Sequence, residues 1–190
     1  AVLVFDLNTT IPDSAQDSSP GEAVQKAMRG EEGSATPLPV LIGALDRAAQ
    51  DKRIAALYLT GNLGSAGYAS GPAALKELRE AIQRFKATSG KPVIAYNQGW
   101  SKREYYLCAG ASTVYCNPFG EIELSGYASE PMFFAGALKK YGVEVQVTRV
   151  GKYKSAVEPF LLEKMSDASR EQTQKLLGDI WSDWKATVAK

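Results

Sequence analysis

Short runs of consecutive apolar residues alternate with stretches in which apolar residues recur every three or four positions. The opening run Ala1-Val2-Leu3-Val4-Phe5-Asp6-Leu7 predicts a strand. The stretch from Asn8 to Pro37, rich in Ser, Asp, Gly and Pro, predicts a long surface loop with one helical turn around Glu22 to Arg29. Leu38, Leu41, Ile42 and Leu45 then fall at helical spacing, and Ile54 to Leu59 is a run of the buried-strand type. After the glycine-rich segment Gly61 to Gly67, a helix is expected over about Pro72 to Thr88, facing the core with Leu75, Leu78, Ile82 and Phe85. Pro72 suits its first turn, where a missing N–H is harmless. Further on come a strand at Pro92 to Tyr96, a short helix at Lys102 to Ala109 and a strand at Ser112 to Cys116. A helix–strand pair follows over about Pro131 to Tyr141 and Val143 to Arg149. A closing helix from about Asp167 would bury Leu176, Leu177, Ile180 and Trp184. This alternation predicts an α/β fold with a mostly parallel sheet flanked by helices, and neither an internal repeat nor a low-complexity segment interrupts it.

Composition narrows the function classes. A chain of 190 residues suffices for one sizeable domain, and 45% apolar with 23% charged residues is ordinary for a globular protein. The net charge is +1 with both signs interspersed, so no basic stripe is available to neutralise phosphates, and nucleic acid is not an expected partner. Histidine is absent. That excludes Ser-His-Asp and Cys-His arrangements within the chain and removes the commonest zinc ligand. A general base near neutral pH must then be a carboxylate, a lysine, a thiolate or a terminal amine. Cys108 and Cys116 do not spell a metal site and read as small buried hydrophobes, while spacing alone leaves their pairing open. No metal and no cofactor is expected. The chain has no run of eighteen or more apolar residues and no signal peptide with a cleavage site. It opens in mid-strand without methionine and its last residues, Trp181 to Lys190, still read as helix. We therefore expect a single domain over residues 1–190 excised from a longer protein, with any membrane anchor outside it.

Three segments carry candidate chemistry. Gly61-x-x-Gly64-x-x-Gly67 lies between a strand and a helix but matches neither G-x-G-x-x-G nor G-x-x-x-x-G-K-[ST]. It reads either as a crossover turn or as a loop whose free amides meet a developing negative charge. Ser101, in Gly99-Trp100-Ser101-Lys102-Arg103-Glu104, sits at a strand-to-helix turn, where a helix N-terminus favours an alkoxide. Serine is also a preferred N-cap, and Glu104 three residues on completes a capping box; the bulky flanks favour the cap. The third segment, Gly151-Lys152-Tyr153-Lys154-Ser155-Ala156-Val157-Glu158-Pro159-Phe160, holds two lysines that read as solvated charges or as one catalytic amine. A free lysine titrates near 10.4, so lowering it by about three units for work as a base costs about 4 kcal/mol. Burial or a neighbouring positive charge must supply that, and Lys152 offers such a charge.

The segment Gly151 to Phe160 closely resembles the lysine motif of the signal peptide peptidase A (protease IV) family. Lys91 to Leu124 and Gly126 to Arg149 are similar to the first of the two homologous domains of its long form. The resemblance implies a ClpP/crotonase-type fold and a serine endopeptidase that degrades cleaved signal peptides at a membrane. It implies a serine nucleophile in the carboxy-terminal domain and a lysine general base in the amino-terminal one, which puts the base at Lys154 and leaves Lys152 unassigned. The chain departs from the family's serine-bearing domain, since Lys102 stands about where the nucleophile would be. Asn62-Leu63-Gly64 likewise departs from the Asn-Ser-Pro-Gly-Gly loop of the oxyanion hole. Both departures fit the amino-terminal domain and imply that this chain alone is inactive. The implied partners are signal-peptide or other hydrophobic peptides, the carboxy-terminal domain of the same protein, and further copies in an oligomer, a tetramer being favoured, with Phe160 and Trp181 at interfaces. The rival readings are a self-contained Ser101–Lys154 protease and a non-catalytic assembly or peptide-binding domain.

Overall fold

A computed structural model of the chain describes residues 1–14, 35–63, 71–148, 151 and 153–189. They form two compact units, one of Ala1–Leu124 with Val188–Lys190 and one of Ser125–Thr187.

The first unit is built on a four-stranded parallel sheet in the order β1 (Val2–Asp6), β2 (Ala56–Thr60), β3 (Val93–Asn97) and β5 (Thr113–Cys116). Between these strands the chain forms α1 (Leu38–Gln50), α2 (Pro72–Ser89), a two-residue strand β4 (Trp100–Ser101) and α3 (Lys102–Cys108). Each helix returns the chain to the strand origin, which parallel neighbours require. In register, Leu57 lies opposite Val93 and Leu59 opposite Ala95, and all four are fully buried. The helical face read from spacing forms the same core: Leu75, Leu78, Ile82 and Phe85 of α2 are all buried. Pro72 opens α2, and Gly90 closes it in the left-handed region at φ 66°. On the other sheet face the edge residues Val2, Val4 and Tyr115 remain more than half exposed.

Cations finish two helices. Lys91 Nζ donates to the carbonyls of Ala48, Ala49 and Asp51 at the end of α1, at 2.8–3.0 Å. Arg79, buried, donates from Nη1 to the Tyr106 carbonyl at 2.5 Å and lies over the Tyr106 ring. Strand β6 (Ile122–Glu123) pairs in parallel with β4. At that crossing Gly120 is required, because a Cβ there would collide with the Gln98 carbonyl oxygen.

One expectation changes within this unit. The segment read as a surface loop from Asn8 to Pro37 buries its described start: Ile11 is fully buried and Thr9 nearly so. Its two ends are tied together, with Thr36 N donating to Thr10 O at 2.9 Å and Leu38 N to Pro12 O at 2.9 Å. The isolated Ile11, flanked by polar residues, carries no periodic signal. The helical turn expected around Glu22 to Arg29 lies outside the described residues.

The second unit contains α4 (Ala135–Lys140), the short α5 (Glu158–Leu161) and the long α6 (Asp167–Val188). The strand expected over Val143 to Arg149 is not formed in its described part: residues 143–148 have no strand partner among the described residues. The alternation of valines there is strand-competent, but a strand exists only through pairing. Burial on α6 also differs. Trp184 is buried, Leu177 is half-buried, and Leu176 and Ile180 are exposed. The apolar stripe is real, but among the described residues Leu176 and Ile180 on it are left exposed.

Candidate active site

Lys154 stands in the turn that leads into α5. Gly151 takes φ 107°, a conformation natural only to glycine. The turn is closed by Lys154 N donating to Gly151 O (3.4 Å) and Ser155 N to Tyr153 O (3.1 Å). Glu158 N then donates to Ser155 O at 2.9 Å, which starts α5, and Pro159 at its first turn suits the missing N–H. Phe134 N donates to Pro159 O at 2.6 Å, and the Phe134 and Phe160 rings stack at 6.0 Å. The Lys154 side chain is exposed, as are Tyr153 and Phe160. Lys152, its sequence neighbour, lies outside the described residues. A separate open groove of about 1320 Å³ runs between α4 and the Phe160–Asp167 segment, lined by Leu138, Val143, Phe160, Leu162 and Lys164 among others, but not by Lys154.

The second candidate place is in the first unit, beyond the carboxyl ends of its parallel strands, where open α/β sheets place ligands. Here the structure brings together residues from four chain segments. Asn97, buried at the end of β3, donates from Nδ2 to Gly61 O (3.0 Å) and to Asn62 Oδ1 (2.7 Å), and accepts from Gln98 N (2.8 Å). Asn8 accepts from Asn62 N at 3.1 Å, and its own amide donates to Asp6 at 2.9 Å. Gly61 takes φ 91°, and a Cβ there would collide with Asp6. Glu104, only 3% exposed, accepts from the Leu63 amide at 2.8 Å and from the Ser101 hydroxyl.

Ser101 therefore does what its capping signature predicts. Its Oγ accepts from Arg103 N at 3.4 Å at the start of α3. The bonds are not those of a reciprocal capping box: Glu104 accepts from the Ser101 hydroxyl and reaches across to Leu63, 41 residues away in sequence. The Leu63 amide is thus already engaged by Glu104. The rest of the glycine-rich loop, residues 64–70, lies outside the described residues. Ser101 and Lys154, the two residues of the self-contained rival, belong to different compact units.

Sequence reasoning missed Asp6, Asn8 and Asn97, although each follows or ends an apolar run, the position from which strand ends project polar groups. Both cysteines are free thiols. Cys108 is fully buried, and desolvation, reinforced by nearby Glu104 and opposed by Arg79, pushes its pKa up to about 12. Cys116 is half-buried rather than buried.

Comparison with known proteins decides the family, because the model of Peptidase family S49 matches residues 85–190, which include the whole lysine turn. The chain belongs to Peptidase family S49. It is 34% identical over 149 residues to "Protease 4" of Salmonella typhi, covering 78% of this chain and 24% of that protein. It is 34% identical over 151 residues to "Serine protease SPPA, chloroplastic" of Arabidopsis thaliana, covering 80% of this chain and 22% of that protein. The chain thus spans about a quarter of the length of these curated relatives. Among solved structures it is similar to a putative enoyl-CoA hydratase/isomerase from Acinetobacter baumannii, with TM-score 0.38 and 15% identity over 80% of this chain and 78% of that one. A TM-score so low carries no argument. The parallel sheet with flanking helices is the α/β class read from the sequence.

Proposed function

We propose that this chain is the lysine-donating domain of a membrane-associated serine endopeptidase that degrades cleaved signal peptides, with its serine nucleophile in a carboxy-terminal domain. The observation that carries the reading is the contrast between the two candidate places. The Ser101 hydroxyl is committed to Glu104, while Lys154, in the segment that resembles the family's lysine motif, is presented at the surface.

The chemistry follows from what a lysine base needs. Neutral Lys154 would take the proton from the serine Oγ as that oxygen attacks the scissile carbonyl carbon. The resulting ammonium would then give its proton to the leaving amine as the C–N bond breaks, leaving an acyl-enzyme. A water molecule, deprotonated by the same lysine, would hydrolyse the ester and restore the serine. Neutrality near pH 7 requires desolvation or a like charge beside the amine. The exposed position of Lys154 supports a design in which the serine-bearing domain covers it and supplies the burial. The isolated chain would then be inactive, which the Ser101–Glu104 bond also favours over a self-contained Ser101–Lys154 protease.

Hydrophobic peptides are the substrate class implied by the resemblance. Exposed Tyr153, Phe160, Leu161 and Leu162 offer apolar surface for assembly with the second domain and with further copies, a tetramer being favoured. Among the described residues no helix is long and apolar enough to cross a membrane, so the anchor would lie in another part of the protein. An active-serine probe applied to the isolated chain tests the division of labour. The expected result is no labelling; covalent modification of Ser101 would overturn the proposal.

A further inference from the structure

The buried carboxyl of Glu158 has no part in the proton transfers above, yet it lies four residues beyond Lys154 in the same motif. It is 2% exposed. Burying such a group is unfavourable unless its oxygens find donors, and here one residue supplies a donor to each oxygen. Ser166 Oγ donates to Oε1 at 2.7 Å and Ser166 N donates to Oε2 at 3.1 Å. Ser166 in turn begins α6: its Oγ accepts from Ser169 N at 3.2 Å and its carbonyl from Arg170 N at 2.9 Å.

A serine N-cap satisfies a helix start without help from a buried acid. The added carboxyl therefore has another consequence, visible in the backbone. The Glu158 amide holds the carbonyl of Ser155, the residue next to Lys154, while the Glu158 side chain holds the first turn of α6. The lysine turn is thereby tied to a 22-residue helix, the longest among the described residues. A second tie, from Phe134 N to Pro159 O at 2.6 Å, fixes the following residue.

We propose that Glu158 is a positioning residue, whose bonds to Ser166 set where Lys154 is presented to the serine domain. The inference rests on the assignment of Lys154 as base. A base must come within hydrogen-bond reach of the proton it takes, and a misplacement of about 1 Å costs up to about a hundredfold in rate. Loosening this tie therefore lowers turnover and leaves peptide binding alone.

The test compares Glu158→Gln, Ser166→Ala, their double variant, Ser166→Thr and Lys154→Ala. All are made in the full-length protein and assayed on an apolar signal-peptide-like substrate, with far-ultraviolet circular dichroism and thermal melts alongside. The expected result is that Glu158→Gln and Ser166→Ala each lower kcat by about tenfold with KM within about twofold. The double variant falls no further than the worse single one, because both break one linkage, and Ser166→Thr, which keeps the hydroxyl, retains wild-type kcat. If Glu158→Gln unfolds the protein, the Ser166→Ala and Ser166→Thr pair carries the same comparison. Wild-type kcat in Glu158→Gln and Ser166→Ala, with Lys154→Ala inactive, overturns the positioning role and leaves the base assignment intact. Full activity in Lys154→Ala overturns the base assignment and this inference with it.

Discussion

Replacing Glu104 with alanine removes the carboxyl that joins the start of α3 to the segment after β2. Two hydrogen bonds are lost, one from the Leu63 amide at 2.8 Å and one from the Ser101 hydroxyl. The two losses are unequal. Ser101 is exposed, so its hydroxyl turns to water at little cost. Leu63 is only 6% exposed, so its amide is stranded, and an unsatisfied buried donor costs about 1–3 kcal/mol on top of roughly 1 kcal/mol for the bond itself. Water entering the space vacated by the side chain offsets part of this, which leaves a destabilisation of about 2–3 kcal/mol. At roughly 2–4 °C per kcal/mol for a chain of this size, Tm falls by about 5–10 °C. Urea unfolding gives the global number, and amide hydrogen exchange at Leu63 gives the local one. Exchange at Leu63 should accelerate more than exchange at Leu57 or Leu59 in the core of β2. A stability change below about 0.5 kcal/mol together with unaltered Leu63 exchange would refute the reasoning.

Other outcomes follow from the same structure. Cys108 should resist iodoacetamide at pH 8 in the folded protein, while half-buried Cys116 is modified first; equal rates by mass spectrometry would contradict the burial. Because the Cys108 pKa is raised from 9.0 to about 12, the unfolded chain loses this proton first as pH rises. Its contribution to stability is therefore fully present below about pH 9 and lost as pH climbs through about 12, which unfolding midpoints across that range would show as a decline absent from Cys108→Ala. Asp51 is the opposite case: hydrogen bonds from the Arg53 side chain and backbone hold its carboxyl at about 2, below the ordinary 3.8. Its contribution is present above about 3.8 and lost as pH falls through about 2, and Arg53→Ala should move its NMR titration midpoint upward. Phe85→Ala, at a 1% exposed core position, should cost about 3–5 kcal/mol in chemical denaturation, whereas Leu176→Ser on the exposed face of α6 should change stability by less than about 0.5 kcal/mol.

The first unit was legible because its patterns are complete within the chain. Leu75, Leu78, Ile82 and Phe85 recur at helical spacing and meet a core built from the same segment of sequence, so periodicity and burial agree. The second unit was legible only as potential. Val143 to Thr148 alternates as a strand should, and Leu176 and Ile180 mark a helical stripe, but pairing and burial need partners that periodicity does not name. Among site residues, Ser101 announced itself as a cap through Glu104 three positions away, while the reach of Glu104 to Leu63 is a tertiary contact with no local signal. Ile11 escaped for a related reason: one apolar residue in a polar stretch carries no period. Lys154 was proposed from the motif alone, and the structure adds the turn around it, with a glycine at φ 107° and the buried Glu158 four residues on.

The central claim is that Lys154 is the base for a serine carried by another domain, and Lys154→Ala in the full-length protein tests it most directly. The account predicts that kcat falls by about a hundredfold or more, the range expected for loss of a general base, while circular dichroism still shows a folded protein, because the Lys154 side chain is exposed in this chain and takes no part in its core. Peptide hydrolysis at the wild-type rate by a folded Lys154→Ala protein would contradict it.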